Sequence, residues 1–211
     1  AAAAALCRAM LDPSGQVATA AHQSLERVRP DLYKPVTTML LDTSETKQLA
    51  AVKALGLMGP KATPAVPLIL LRLRRELAER ATARFRYFDG LEPMEAACFA
   101  ALRAIDPADE ESVALCKNLA SPTNEDADAR FEAIQLLVAW AGEDEAKRKQ
   151  VWPYIKANLG DNYCCVLCLR VAGQYGSLAR EAVPTIKKMK LSEVEVVRTE
   201  AGKALDKNEN P

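Results

Sequence analysis

Aromatic residues are scarce in this 211-residue chain, at 5%, whereas alanine is abundant. The strands of β-sandwiches and barrels are rich in β-branched and aromatic residues, while alanine favours close-packed helices. The chain also lacks an excess of charge of either sign, because 28 Lys and Arg residues balance 28 Asp and Glu residues. No global field therefore attracts nucleic acid or an anionic membrane. The composition predicts an all-α fold.

Long hydrophobic runs are also missing. The best candidate, residues 66–71, ends at Arg72, far short of the roughly 18 to 20 apolar residues that cross a membrane. We therefore expect a soluble protein without a membrane span. The chain starts on five alanines rather than on Met and runs directly into a helical pattern. We interpret residue 1 as a boundary within a longer protein.

The groups that enzymes most often use are largely absent. The sequence contains one histidine, His22, and none of the GxSxG, P-loop, GxGxxG or HExxH motifs. A single histidine leaves few options for a general base. The sequence therefore favours a non-catalytic protein, with no catalytic residue, no cofactor and no metal site predicted.

Small and apolar residues recur at i, i+3, i+4 and i+7 before a series of proline or glycine corners. This spacing places them on one face of an α-helix. The corners lie at Pro30, Pro60, Pro107, Gly142 and Gly176, and a sixth copy begins near Val197. A second helix is predicted after each corner, over residues 32–41, 64–77, 110–119, 146–159 and 180–189.

Two of these corners are alike residue by residue. Residues 59–67 align with residues 176–184 without a gap, and the spacing between corners runs from 30 to 47 residues. A repeat of this length indicates a solenoid, in which each helix pair buries its apolar face against its neighbours.

The pattern is clearest in AVKALGLMGP at residues 51–60, which leads to Ala-Val-Pro-Leu, and in VRTEAGKAL at residues 197–205. It resembles the HEAT repeat family, especially the short bacterial-type repeats. The resemblance implies a right-handed α-solenoid of about five to six antiparallel helix pairs, forming one domain over residues 1–211. It also implies a scaffold that binds another protein, or another domain of the same longer chain, on its concave face.

The 47-residue spacing between Pro60 and Pro107 breaks the repeat with an insertion at residues 78–93. Insertions in repeat proteins map to loops on one face and often carry function. Residues 61–90 hold seven basic and three acidic side chains. Interleaved arginines and aromatics suit an acidic protein partner or, alternatively, the phosphates and bases of nucleic acid. A plainer interpretation is a solvated charged helix face, followed by a loop whose aromatics pack on the core.

The predicted partner-binding residues are the outer side chains of the second helices and of the insertion, because Arg, Trp and Tyr commonly anchor interfaces. They are Arg72, Arg75, Arg84, Phe85, Arg86, Tyr87, Phe88, Trp152 and Tyr154. On the solvated face, Arg72 is predicted to pair with Glu76 at i, i+4. The same spacing pairs Arg75 with Glu79.

Six cysteines are present, and three of them form the cluster Cys164, Cys165 and Cys168. Two of these share a helix face, but tetrahedral zinc needs four ligands. We interpret them as small buried thiols, because Cys168 stands where other repeats place alanine. Adjacent helical cysteines also fit a disulfide framework poorly, which favours a reducing, cytoplasmic compartment.

Charge is segregated in the second half of the chain. Residues 106–145 carry a net charge of −9, and residues 146–190 carry +7. This polarity either steers a charged partner or reflects carboxylates that cap helix starts, where they favour the helix dipole.

Overall fold

A computed structural model describes residues 2–9, 14–31, 43–82 and 94–209. Every regular element in these ranges is a helix, and the all-α prediction is confirmed for them. The chain divides into two compact units, Ala1–Ser112 and Val113–Pro211. The division falls inside one helix, Glu110–Leu119.

Unit 1 contains five α-helices and the first part of a sixth. They are α1 (Ala2–Ala9), α2 (Gly15–Val28), α3 (Glu45–Met58), α4 (Val66–Thr82), α5 (Met94–Ile105) and α6 (Glu110–Leu119). Unit 2 continues from α6 with five more. They are α7 (Ala127–Ala141), α8 (Glu145–Ala157), α9 (Cys165–Tyr175), α10 (Val183–Met189) and α11 (Glu195–Glu209).

The predicted order of helices agrees closely with the structure. The six first helices of the pattern correspond to α2, α3, α5, α7, α9 and α11. Among the second helices, α6 has the predicted bounds and α8 differs by one or two residues. The second helix predicted at 32–41 lies outside the described residues.

Glycine makes three of the corners because the backbone there has positive φ. Gly59, Gly142 and Gly176 have φ values of 56°, 48° and 52°, which side-chain-bearing residues rarely adopt. Two of them open 3₁₀ helices of seven residues, Gly59–Ala65 and Gly176–Ala182. The gapless sequence match of these two corners is therefore also a structural match.

The predicted starts of two second helices, α4 and α10, are wrong. Helices were predicted from residues 64 and 180, but both residues lie inside the 3₁₀ helices, and α4 and α10 begin at Val66 and Val183. Ala62 and Ala65 are buried in the first 3₁₀ helix, and Ala179 and Ala182 in the second. This i, i+3 spacing matches three residues per turn as well as it matches one side of an α-helix.

In unit 1, α3 and α4 both pack against α5. Leu55, Leu73 and Leu102 are completely buried in this core. By length and composition alone, Glu45–Arg80 contains an 18-residue stretch that is apolar enough to cross a membrane. In the structure, Glu45–Arg80 comprises α3, the 3₁₀ helix Gly59–Ala65 and most of α4, and the apolar sides of α3 and α4 contribute to the core of the unit.

In unit 2, α7 packs against α8, and both α9 and α10 pack against α11. The predicted apolar face of α7 is buried at Ala133, Leu136 and Leu137. The corresponding face of α9 is buried from Cys168 to Tyr175. The periodicity therefore identified the core side of these helices correctly.

A glycine three residues before the corner lets two first helices approach closely in each unit. A Cβ on Gly56 of α3 would lie 3.2 Å from Cα of Ala101 in α5. A Cβ on Gly173 of α9 would likewise lie 3.2 Å from Cα of Ala204 in α11. The pairs α3–α5 and α9–α11 thus share one packing device.

Aspartates cap the helix starts of the acidic block. In unit 1, Asp109 accepts a hydrogen bond from the amide of Ser112 at 2.8 Å. In unit 2, Asp126 accepts from Ala129 N at 3.0 Å, and Asp144 accepts from two amides at the start of α8. Part of the segregated negative charge therefore serves helix capping, as the second interpretation holds.

Candidate interaction surfaces

Of the nine predicted partner-binding residues, five belong to the insertion. Arg84, Phe85, Arg86, Tyr87 and Phe88 lie outside the described residues. The other four are Arg72 and Arg75 on α4 and Trp152 and Tyr154 on α8.

Arg72 was expected on a solvated face, and this expectation is wrong. Its side chain is only 11% exposed, and it pairs with Glu76 at 2.9 Å. Its Nε donates a hydrogen bond to Oε1 of Gln48, on α3, at 3.1 Å. Glu76 is also buried, at 2% exposed. The i, i+4 pair exists as predicted, but both of its side chains are largely removed from solvent, so it is an interior ion pair.

A second interior ion pair joins α4 to α5. Arg80 on α4 binds Oε2 of Glu95 on α5, and Glu95 is 2% exposed. Burial raises the pKa of the nearby Cys98 thiol to about 12, opposed by the charge of Arg72 and reinforced by Glu76 and Glu95. Buried charges require partners, and these two ion pairs supply them within the core of unit 1.

Arg75 does lie on the surface. Its side chain is 70% exposed and pairs with Glu79 at 2.7 Å, as the spacing predicted. Arg74 pairs with Glu111 at 2.7 Å. Four arginines of the basic 61–90 segment are therefore held by carboxylates, which leaves less positive charge available to phosphates than the sequence suggested.

Trp152 is a further correction, because its indole is buried at 4% exposed. Its Nε1 donates a hydrogen bond to Glu181 at 2.6 Å, and its ring lies 6.4 Å from the ring of Tyr175. A buried tryptophan usually needs a hydrogen-bond acceptor for its indole N–H, and here Glu181 of the second 3₁₀ helix provides one. Trp152 thus holds α8 in place, while Tyr154 is half-buried.

The exposed part of the second helices in unit 2 is basic. We call the exposed lysines of α8 and α10 the second-helix surface of unit 2: Lys149, Lys156, Lys187 and Lys188. Lys156 binds Glu181 at 2.7 Å. Glu181 is itself exposed, and the hydrogen bonds from Lys156 and Trp152 lower the pKa of its carboxyl group.

A groove runs between α9 and α11 in unit 2. Its floor consists of Leu169, Gly173 and Ala204. Its sides carry the polar residues Arg170 and Gln174 from α9 and Glu200, Lys203 and Lys207 from α11. Glu200 binds Lys203 at 2.9 Å and Arg170 at 3.3 Å. Hydrogen bonding from Lys203, and then from Arg170, lowers the pKa of this carboxyl group, and the side chains of both cations are more than half exposed.

The cysteine cluster is buried as interpreted from the sequence: Cys164 and Cys168 are 0% exposed and Cys165 is 6% exposed. Burial raises the pKa of Cys164 to about 11 and that of Cys168 well above its ordinary value. Asp161 lies at the start of this helix and binds Arg130 at 2.5 Å. Partial burial alone would raise the pKa of Asp161, but the amides of Cys164 and Tyr163 and the charge of Arg130 lower it overall.

We expect these thiols to react very slowly in the folded protein. The thiolate is the reactive form, and at pH 8 each buried thiol, with its raised pKa, remains protonated. Titration with a disulfide-exchange reagent should give a small signal at pH 8 without denaturant and the full signal from six free cysteines in denaturant. Rapid stoichiometric reaction of native protein at pH 8 would contradict the burial of the cluster.

Sequence reasoning missed two buried asparagines. Asn158 donates hydrogen bonds through Nδ2 to the carbonyl oxygens of Ala120 and Tyr154, at 3.0 and 2.8 Å. Asn208 does the same for Ala172 and Ala204, at 3.2 and 2.6 Å. Each asparagine donates one hydrogen bond to the carbonyl oxygen four residues earlier. It donates a second one to the carbonyl oxygen of a segment distant in sequence. Periodicity cannot detect this role, because asparagine is usually exposed.

The sequence offered a weak signal for Glu95. It is the only acidic residue in the largely apolar α5, MEAACFAALRAI, and the only other charged residue of this helix, Arg103, lies in its last turn. A charged residue among apolar neighbours near a helix start needs a partner. Comparison of the chain with protein families, with characterised proteins and with solved structures finds no match.

Proposed function

We propose that this chain is a non-catalytic protein-binding module, built as a HEAT-like α-solenoid. The single observation that carries the proposal is the repeated unit at Gly59–Ala65 and Gly176–Ala182. Both segments follow a first helix, open on a positive-φ glycine and bury two alanines at the same positions. Repeats that keep their packing residues present their remaining side chains in a regular array, which suits extended protein surfaces.

The contact residues in this proposal are the exposed second-helix residues of each unit and the insertion at residues 78–93. Arg75 on α4 and Lys149 on α8 are 70% and 60% exposed. Arg72, Glu76 and Trp152 are excluded from that surface because they are buried in their own units. The partner is another protein or another domain of the same longer chain.

Nucleic-acid binding through the 61–90 arginines is the weaker alternative. Arg72 and Arg80 neutralise buried glutamates, and Arg74 binds Glu111 at 2.7 Å. A phosphate contact would have to displace these carboxylates, and for the two buried pairs it would remove an arginine partner from a glutamate in the core.

An affinity-capture experiment with matched variants tests the proposal. One variant replaces Arg84, Phe85, Arg86, Tyr87 and Phe88 with alanine, and a second combines Arg75→Glu with Lys149→Glu. The control is Lys53→Glu, an exposed position on the first helix α3. Proteins retained by the wild type and by the control should be lost from at least one of the two variants. Identical retention by all four proteins would overturn the proposal.

A further inference from the structure

The packing of α9 against α11 in unit 2 is repeated by the packing of α3 against α5 in unit 1. The second pair shows which side chains the helix contact itself requires. The close approach of Gly56 to Ala101 in unit 1 repeats that of Gly173 to Ala204 in unit 2, each at 3.2 Å. Each glycine lies three residues before its corner glycine, Gly59 or Gly176. The two helix pairs can therefore be compared position by position.

The comparison shows that the charges on the α11 side of the groove are not needed for the helices to pack. On α11, Glu200, Lys203 and Lys207 stand where α5 has Ala97, Ala100 and Ala104. On α9, Arg170 and Gln174 stand where α3 has Lys53 and Leu57. In unit 1 the same helix approach thus forms with alanines on α5 and with Lys53 and Leu57 on α3, where Leu57 is 90% exposed.

Glu200 holds two of the cations in place. Its side chain is only 10% exposed, and it contacts Lys203 at 2.9 Å and Nε of Arg170 at 3.3 Å. A carboxylate in this position costs desolvation energy that an alanine avoids. The side chains of Lys203 and Arg170 nevertheless remain 63% and 57% exposed. The ion pairs therefore order the cations without removing them from solvent.

We propose that this groove binds an extended acidic peptide segment, with carboxylates at alternate positions, on Arg170, Lys203 and Lys207. The groove contributes three cations and one carboxylate, so it carries a net positive charge. Lys203 and Lys207 stand one helical turn apart, a rise of about 6 Å. Side chains on the same side of an extended peptide repeat every two residues, about 6.6 Å. The two spacings match closely enough for neighbouring carboxylates to reach both lysines.

The shape of the groove favours a peptide over nucleic acid. Its lining residues include no aromatic side chain, so unpaired bases would find no stacking platform. Nucleic-acid affinity also depends on neutralising several phosphates, whereas Glu200 offsets part of the charge here. A narrow floor of Leu169, Gly173 and Ala204 instead accommodates an extended backbone with short side chains.

Binding of a labelled synthetic peptide that alternates Glu and Thr, measured by fluorescence anisotropy at low salt, tests the proposal. The test variant is Lys203→Gln with Lys207→Gln, because glutamine removes the positive charge of each lysine while keeping a polar side chain. The matched control is Lys53→Gln with Lys61→Gln, which removes two exposed lysines from unit 1. We expect the test variant to bind about tenfold more weakly than wild type, and the control to bind like wild type.

Three results would overturn the proposal. The first is that the wild type does not bind the Glu–Thr peptide. The second is that it binds a Gln–Thr peptide equally well. The third is that it binds a single-stranded oligonucleotide more tightly than the Glu–Thr peptide, and that the test variant no longer binds this oligonucleotide. Thermal melting of each variant verifies folding, and an alternative variant, Arg170→Gln, tests the same groove from α9. The second-helix surface of unit 2 is unchanged in all of them, so failure here leaves the proposed function of that surface untouched.

Discussion

Replacing Glu95 with alanine is expected to lower the free energy of unfolding by about 3 kcal/mol or more, because the change leaves the charge of Arg80 without its buried partner. Glu95 is 2% exposed and the Arg80 side chain 18% exposed. Urea denaturation followed by circular dichroism measures the change as a lower transition midpoint with an unchanged slope.

The control for this prediction removes both charges together. A double variant with Arg80→Met and Glu95→Leu should recover most of the lost stability, since apolar replacements of similar volume are often neutral or stabilising. The exposed pair supplies a second control, because Arg75→Ala should produce little measurable change. If Glu95→Ala and Arg75→Ala proved equally mild, the interior position of the Arg80–Glu95 pair would be refuted.

Replacing Gly59 with valine is expected to destabilise the chain by about 2 to 3 kcal/mol, because a β-branched residue is strained at positive φ. Gly59 has φ of 56° and ψ of −139° where α3 ends. The same reasoning applies to Gly176, with φ of 52° and ψ of −117°. Thermal or urea unfolding measures the effect, and the loss should appear in either corner.

Replacing a glycine that has ordinary helical backbone geometry is expected to have the opposite effect on stability. Gly202 lies within α11, and a Cβ added there meets nothing within 4 Å. Gly202→Ala should therefore stabilise the protein by about 0.5 to 1 kcal/mol, because it reduces the backbone entropy of the unfolded chain. A loss of stability in Gly202→Ala comparable to that in Gly59→Val would show that backbone conformation does not distinguish the two sites.

The two interior ion pairs also alter how the basic 61–90 segment should be understood. From the sequence, its arginines form a cationic face. In the structure, Arg72 neutralises Glu76 on its own helix and donates a hydrogen bond to Gln48 on α3. Arg80 reaches from α4 to Glu95 on α5. The net charge of a segment therefore overestimates the charge accessible to a ligand when some of the charged side chains are paired inside the fold.

In the groove between α9 and α11, by contrast, exposed charges were not noticed in the sequence. Its residues occupy a stretch that reads as an ordinary repeat, and Arg170 and Lys203 did not stand out in the sequence. Only the comparison with α3 and α5 reveals that Glu200, Lys203 and Lys207 replace alanines at equivalent positions. A departure from the repeat can thus consist of substitutions at exposed positions as well as of an insertion.

The helix order could be predicted from the sequence because helical periodicity and glycine corners are local properties. The bounds of α6 followed from its pattern, and Gly59 and Gly176 marked helix ends where the backbone needs positive φ. The 3₁₀ helices were missed because Ala62 and Ala65 have a spacing that both kinds of helix accept.

What only the tertiary structure decided is the burial of polar side chains, because burial depends on neighbours distant in sequence. Gln48 is 24 residues from Arg72, Glu181 is 29 residues from Trp152, and Ala120 is 38 residues from Asn158. A helix pattern specifies which side faces the core but not which charged residue at its margin a neighbouring helix will cover. The amino-acid sequence by itself determined the all-α character and the repeated corners, since both arise from interactions within a few residues. The tertiary structure decided which charges became interior ion pairs and which stayed available to a partner.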